Sequence, residues 1–426
     1  MSALHRMVQT EFRKNVFTLI GGSVIAQLIP LLLYPVLSRI FTPAEYGLFA
    51  LFYGIVSVAE VIATGRYELA VVLPANDNDS ASLIAGGVSL ALVFSTILLL
   101  LVILIPDEIT SLFGNPGLAK WLMLIPLWVF ITSATKMLNA FLTRKKAFKA
   151  FIVNKMVFRV FEGGFAFSLG KMKWTNGLLI GDLVGRFSMM LVSWMQTLKA
   201  GLSFQKTDFA GVRKNLWRYR EFPLYNSVPA VLNCLSSLLP VFILSAAYCE
   251  ADTGFFNFSR TLLAAPIALI SANISQVLFQ QIAEKRNKRL PISQDIRKLL
   301  IQLIVVTLIP AVVVIIWAVP IFSFVFGETW AVSGSFTRIL IFSYAIQFFV
   351  TPLSLVFPAL EKVKTISIWQ TGYFLLTVTL FLFTFLPVNQ FLMLFTAFDV
   401  VAYFVYLVLI LRTAAKYDSS LISAGK

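Results

Sequence analysis

The sequence predicts an all-α polytopic membrane protein, with twelve transmembrane helices in two six-helix lobes around a central cavity. Three observations predict it. Of 426 residues, 58% are hydrophobic and 13% charged, about half the charged share of an average soluble domain, so a soluble chain of this length would lack the polar surface to cover its core. Apolar stretches of about 20 residues, the length an α-helix needs to cross the hydrocarbon core, recur twelve times. Finally, Lys and Arg gather in alternate connections, the signature of a fixed orientation in the bilayer.

The twelve stretches are 16–38, 48–64, 82–106, 118–142, 150–170, 175–198, 222–247, 255–283, 298–319, 332–353, 365–386 and 388–412. Arg13 and Lys14 precede the first, as in a signal peptide, but the run is too long for one and no small-residue cleavage site follows it. The short polar connections exclude closed β-barrel strands, so the spans are helices. With the N-terminus cytoplasmic, the inside segments carry 25 of the Lys and Arg residues. The outside holds only Arg39, Lys120, Lys171 and Lys173, and its turns at Asp107-Glu108 and Glu250-Ala251-Asp252 are acidic. Both termini are therefore expected inside. The net charge of +15 reads as topology and as attraction to anionic membrane lipids, with no call for nucleic acid.

The domain reading follows from the longest internal connection. Residues 1–198 form an N-terminal lobe, 199–221 a cytoplasmic basic linker and 222–426 a C-terminal lobe. In the linker Thr207-Asp208 are good N-caps, and Phe209, Val212, Leu216 and Tyr219 fall on one helical face with Arg213, Lys214, Arg218 and Arg220 between them. That pattern predicts a basic amphipathic helix on the cytoplasmic surface. A shift of 207 residues lays span seven on span one and matches Glu45-Tyr46-Gly47-Leu48-Phe49 with Asp252-Thr253-Gly254-Phe255-Phe256, a weak parallel repeat that suits alternating access.

Chemistry-bearing patterns are scarce. His5 is the single histidine, which excludes a nucleophile–histidine pair. There is no phosphate-binding loop, and Asn76-Asp77-Asn78-Asp79 lacks the Gly and Glu of a calcium loop. Cys234 and Cys249 are 15 residues apart in one apolar stretch, about 22 Å along a helix, too far for a disulfide, and read as buried thiols. No cofactor, no metal and no enzymatic activity are expected.

Functional information lies in the charges inside spans, each costing a few kcal/mol at bilayer depth unless paired or hydrated. The cations are Lys136, Lys155, Arg159, Arg186, Arg260 and Arg338; the anions are Glu60, Glu162, Asp182 and Asp399. Lys155, Arg159 and Glu162 share one face of span five. Asp182 and Arg186 stand at i, i+4 on span six, beside the small-residue pair Gly181 and Gly185, which permits close helix approach. Two readings fit. The charges pair within and between helices, with Lys136, Arg260 and Arg338 reaching toward the nearer surface; or several cations line a water-filled cavity suited to a phosphorylated substrate. Glu60, Asp182 and Asp399 are the carboxylates able to carry a coupling proton or Na⁺, or are structural pairs. Arg66, at the inner end of span two, reads by position as an interface anchor.

Several short motifs resemble those of bacterial O-antigen and polysaccharide repeat-unit flippases, within the superfamily that also holds multidrug extruders and lipid II flippases. They are Phe41-Thr42-Pro43-Ala44-Glu45-Tyr46-Gly47-Leu48-Phe49, Gly65-Arg66-Tyr67-Glu68-Leu69-Ala70-Val71-Val72-Leu73-Pro74, Phe256-Asn257-Phe258-Ser259-Arg260 leading to Pro266 and Gln276-Val277-Leu278-Phe279-Gln280, and Phe326-Gly327-Glu328-Thr329-Trp330. Phe279-Gln280-Gln281 departs from relatives that place Pro after the Phe. The resemblance implies an undecaprenyl-pyrophosphate-linked oligosaccharide as substrate, moved from the cytoplasmic to the periplasmic leaflet of the inner membrane, with other polysaccharide-assembly membrane proteins as partners. It raises Arg66 and Arg260 to pyrophosphate contacts, which the charge pattern extends to Lys155, Arg159 and Arg186. A cation-coupled multidrug exporter of the same fold is the alternative, disfavoured by the surplus of buried cations. A polymerase or ligase would need a larger outer loop, and a major-facilitator carrier would lack the motifs.

Overall fold

Every regular element among residues 28–205 and 207–424, the part of the chain that the computed structural model describes, is helical. The first half of span one, with His5, Arg13 and Lys14, lies outside the described residues. The elements are α1 (Leu28–Leu37), α2 (Pro43–Ala63), α3 (Asp77–Leu104), α4 (Pro106–Phe113), α5 (Ile125–Arg144), α6 (Phe148–Lys171), α7 (Gly177–Lys199), α8 (Phe209–Arg218), α9 (Ser227–Ala247), α10 (Glu250–Asn287), α11 (Ser293–Phe326), α12 (Ala331–Val350), α13 (Val356–Ala359), α14 (Val363–Val378) and α15 (Val388–Ala424).

The protein is an all-helical, multi-pass membrane protein. Nine helical segments among the described residues are long and apolar enough to cross a membrane. The other three expected spans have identifiable reasons for standing apart. Span one is described only from Leu28. α6 runs 24 residues but carries Lys155, Arg159 and Glu162 in its middle, and α10 runs 38 residues with a polar stretch through Asn257, Ser259 and Arg260.

Local chemistry explains the element ends. Thr42 caps α2: its hydroxyl oxygen accepts from the Glu45 amide, while the Glu45 carboxylate accepts from the Thr42 amide at 2.7 Å, a reciprocal box. Cys249, 207 residues later, holds the same extended backbone before α10, φ −83°, ψ 158° against −77°, 159° at Thr42. Its thiol donates to Asp252 at 3.0 Å, but no side-chain hydrogen bond caps α10, so the likeness lies in the backbone and does not extend to the box. This also corrects the expectation of two buried thiols: Cys249 is exposed, because α9 ends at Ala247 and Cys249 belongs to the turn.

The connection after α3 is longer than expected. α3 stops at Leu104 and Pro106 opens α4 with Asp107 and Glu108 in its first turn; proline fits a first helical position and acids suit the dipole there. Gly114, φ 63°, closes α4 in the left-handed region.

Contacts divide the chain into two compact units, Met1–Leu238 and Leu239–Lys426. In the first, α6 packs along α7, and α5 contacts α2, α3 and α7. The α6–α7 approach is backbone-close at the predicted small-residue pair: a Cβ on Gly181 would lie 2.6 Å from the Glu162 carbonyl oxygen, and one on Gly185 2.8 Å from that of Phe158. In the second, α12 packs on α10, α11 and α15.

Residues 199–221, which fall within the first unit, contain the expected helix, α8, capped by Asp208, which accepts from the Gly211 amide at 2.8 Å. Its packed face is largely the predicted one, with Leu216 and Tyr219 against the core around Tyr67 and Ile84. Leu216 lies against Gly86 of α3, the Asn215 amide donates to Asp79 at 3.1 Å, and the Tyr67 hydroxyl donates to the Leu216 carbonyl at 2.8 Å. Phe209, placed on that face by periodicity, is 82% exposed, at the first turn of α8.

Candidate functional site

In the first unit, α5, α6 and α7 carry a layer of charges deep in the helical bundle. Arg186 of α7 grips Asp182 one turn earlier through two nitrogens, Nε to Oδ2 at 2.5 Å and Nη2 to Oδ1 at 3.3 Å. Its Nη1 donates to the Thr132 hydroxyl at 3.1 Å. Asp182, 2% exposed, also accepts from the Trp128 indole at 2.6 Å. The guanidinium stands 5.3 Å from the Tyr53 ring centre and 5.4 Å from that of Phe158, distances at which ring and cation attract. On α6, Arg159 donates to Glu162 at 2.7 Å, and Lys155 lies 4.7 Å over the Phe151 ring. Lys136 of α5, expected to reach toward the inner surface, instead pairs with Glu60 of α2 at 3.0 Å; the second oxygen of Glu60 is buried without a hydrogen-bond partner. Burying a charge demands such pairing.

Arg66 occupies a turn that the motif around it builds. Gly65 and Arg66 both adopt left-handed backbone, φ 58° and 60°. Glu68 accepts from the Thr64 hydroxyl at 2.6 Å and pairs with Arg66 at 3.3 Å. The Arg66 Nε is buried and without an acceptor, a donor still to be satisfied.

In the second unit, buried Asp399 of α15 accepts from the Ser343 hydroxyl at 2.5 Å, the Gln347 amide at 3.1 Å and the Tyr373 hydroxyl at 2.6 Å. Arg260 of α10 hydrogen-bonds Tyr344 and lies close enough to act electrostatically on Asp399. Phe258, in the same motif as Arg260, sits 4.1 Å from Trp330 and 5.0 Å from Phe326, so two of the sequence motifs meet as one aromatic core. Arg338 is exposed.

Thus Arg159 and Arg186 share a layer with Asp182 and Glu162, Arg260 and Asp399 share another, and Arg66 stands at its own turn. Neither cavity found within the first unit is lined by these residues. One, of about 430 Å³, is apolar, between Ile84, Val88, Phe130, Leu138, Leu191 and Trp194; the other, of about 330 Å³, lies by Trp121 and Trp174. Sequence reasoning missed Trp128, Thr132, Ser343, Gln347 and Tyr373. A signal was present: Trp128 with Thr132, and Ser343 with Gln347, are polar pairs at i, i+4 in otherwise apolar spans.

The sequence profile of a family described as polysaccharide biosynthesis protein matches residues 36–334. The chain belongs to this family. Among solved structures, the chain is similar to the lipid II flippase MurJ in an inward closed conformation, at 12% identity, TM-score 0.75, over 95% of this chain and 91% of that one. It is similar to an inward-facing multidrug resistance MATE family transporter of the MOP superfamily, at 16% identity, TM-score 0.66, over 93% and 99%. A third is a MOP superfamily transporter from Pyrococcus furiosus, described as having a binding pocket of reversed polarity, at 15% identity, TM-score 0.63, over 94% of each chain. Comparison with curated protein sequences gives no significant match. The fold is that of flippases and transporters.

Proposed function

We propose that the protein is a flippase that moves undecaprenyl-pyrophosphate-linked oligosaccharide repeat units from the cytoplasmic to the periplasmic leaflet by alternating access. The family match carries this reading, and the transporter fold supplies a means. A pyrophosphate and a sugar chain cannot enter hydrocarbon while their hydrogen bonds go unreplaced, and arginines suit forked contacts with phosphate. Arg66, Lys155, Arg159, Arg186 and Arg260 are the proposed contacts; the unused Nε of Arg66 supports its place among them. Arg159 and Arg186 already hold Glu162 and Asp182, so phosphate would share or exchange with those carboxylates. Glu60, Asp182 and Asp399 are the proposed ion-coupling groups. Residues 1–198 and 222–426 act as the two lobes, 199–221 as their linker, in the bacterial inner membrane with both termini cytoplasmic.

The alternative is a cation-coupled exporter of multidrug type, favoured by the pairing of Lys136, Arg159 and Arg186 with acids, which leaves less free positive charge than the sequence suggests. A leaflet-accessibility assay of lipid-linked oligosaccharide, in cells with Arg66, Arg159 or Arg260 changed to Ala and the variants present at wild-type level, decides. Loss of outer-leaflet sugar is expected in each; a normal rate in all three would end the site assignment.

A further inference from the structure

The four cations that the topology leaves on the outer side gather at one end of the first unit. Lys173 lines the cavity of about 330 Å³ together with Trp121, Trp174, Thr175, Asn176 and Ile180. Lys120 closes the short turn Pro116–Lys120 directly before Trp121, and Lys171 is two residues before Lys173. Arg39 is two residues before Phe41, whose ring packs on Gly170 and Gly177, either side of the 171–176 loop; a Cβ on either glycine would lie 2.8 Å from it.

The loop is held in shape. The Trp174 amide donates to the Leu169 carbonyl at 3.1 Å and the Lys173 amide to Gly170 at 2.9 Å, the bond pattern of a helix closed by a left-handed residue. That residue is Lys173, φ 59°, where glycine would sit without strain. A lysine here keeps a charged side chain beside the cavity at a backbone cost. Trp174 is 57% exposed, and Asn176 and Thr175 bring amide and hydroxyl groups within 3.4 Å of each other.

A pyranose ring offers an apolar C–H face and a rim of hydroxyls. Two indoles match the face, Thr175 and Asn176 match the rim, and Lys173 matches an acid substituent. The volume lies at the small end of ligand sites, enough for one ring. We propose that this cavity is an outer-face subsite for a single acidic sugar residue, a uronate or a sugar phosphate. The orientation and the glycan substrate rest on the flippase reading above; the chemistry of the cavity does not. The competing role for the two tryptophans is anchorage at the membrane interface.

The test uses the full-length protein in phosphatidylcholine nanodiscs, titrated with glucuronate, glucose 1-phosphate and glucose and read by saturation-transfer NMR. Both acids should bind saturably and more tightly than glucose. Lys173→Gly, which keeps the left-handed turn, should remove the preference for acids by about tenfold while glucose binding persists, and Trp174→Ala should weaken all three by about tenfold. Acidic lipid-linked oligosaccharide in the same nanodisc should displace the soluble acids; if it does not, the natural ligand is a free sugar acid. No saturable binding, or binding unchanged in both variants, overturns the subsite and leaves the tryptophans as interface anchors. Because no flipping is measured, the two readings fail separately: absent sugar binding with impaired flipping in the Arg variants removes only the subsite, and sugar binding with normal flipping removes only the Arg site.

Discussion

The Arg186–Asp182 pair permits a decisive separation of architecture from transport. Arg186→Met keeps the length of the side chain and removes its charge. Asp182, 2% exposed, would then retain the Trp128 indole as its one remaining donor among those described, and the Thr132 hydroxyl would lose its donor. Removing one partner of a buried pair costs about 3–5 kcal/mol. The double variant D182N/R186M is uncharged, and the side-chain amide oxygen introduced in place of the carboxylate can still accept from Trp128; neutral replacements of a buried pair cost little, so its stability should return to within about 1 kcal/mol of wild type. Urea unfolding in detergent micelles measures both, and outer-leaflet appearance of lipid-linked sugar measures transport. If Arg186 contacts substrate, or Asp182 carries the coupling ion, the double variant is stable and still fails to flip. A stable double variant that flips at the normal rate would refute the reasoning, because Arg186 would then serve only to neutralise Asp182.

Four further outcomes are expected. Gly181→Ala places a methyl 2.6 Å from the Glu162 carbonyl and should lower stability by about 1–3 kcal/mol through overpacking, read as a lower urea midpoint. Asp399→Asn cannot accept from all three of Ser343, Gln347 and Tyr373; a mismatched donor should cost about 1–3 kcal/mol, and if Asp399 carries the coupling ion, flipping becomes insensitive to collapse of the ion gradient. In the loop after α13, the Arg286 hydrogen bond holds the Glu361 carboxyl below its ordinary value. A depressed carboxylate contributes stability above its unfolded pKa, about 4.3, and loses it as pH falls through the folded value; Glu361→Gln should melt slightly below wild type at pH 7 and level with it at pH 3. Finally, Asn215→Leu should release α8 from Asp79 and raise proteolytic cleavage within 199–221.

Much of the fold was legible because the bilayer imposes a length and an apolarity on each crossing. The apolar residues of α6 and α10 mark both as spans, though their polar residues lower the hydropathy signal. Gly181 and Gly185 announced the close approach of α6 to α7, since small residues four apart leave a groove on one face. The pairing was harder to read. Arg186–Asp182 and Arg159–Glu162 are local and follow from helical spacing, whereas Lys136–Glu60 joins residues 76 apart in the chain, and spacing carries no information at that range. Phe209 failed for another reason: periodicity finds the face that docks, where Leu216 and Tyr219 pack, but not where along the helix the docking begins. Likewise, the motifs at Phe258 and Trp330 carry the family resemblance and are joined in an aromatic core, where packing alone gives reason for those residues.

With carbonyls of one helix pressed to glycines of the next, α6 and α7 cannot slide or rotate past one another without a clash. They form a stiff strut, and the ion pairs mounted on it travel as cargo of that strut rather than rearranging among themselves. The prolines inside helices lie elsewhere, at Pro240 of α9, Pro266 of α10 and Pro310 and Pro320 of α11, where a missing backbone donor makes a bend less costly.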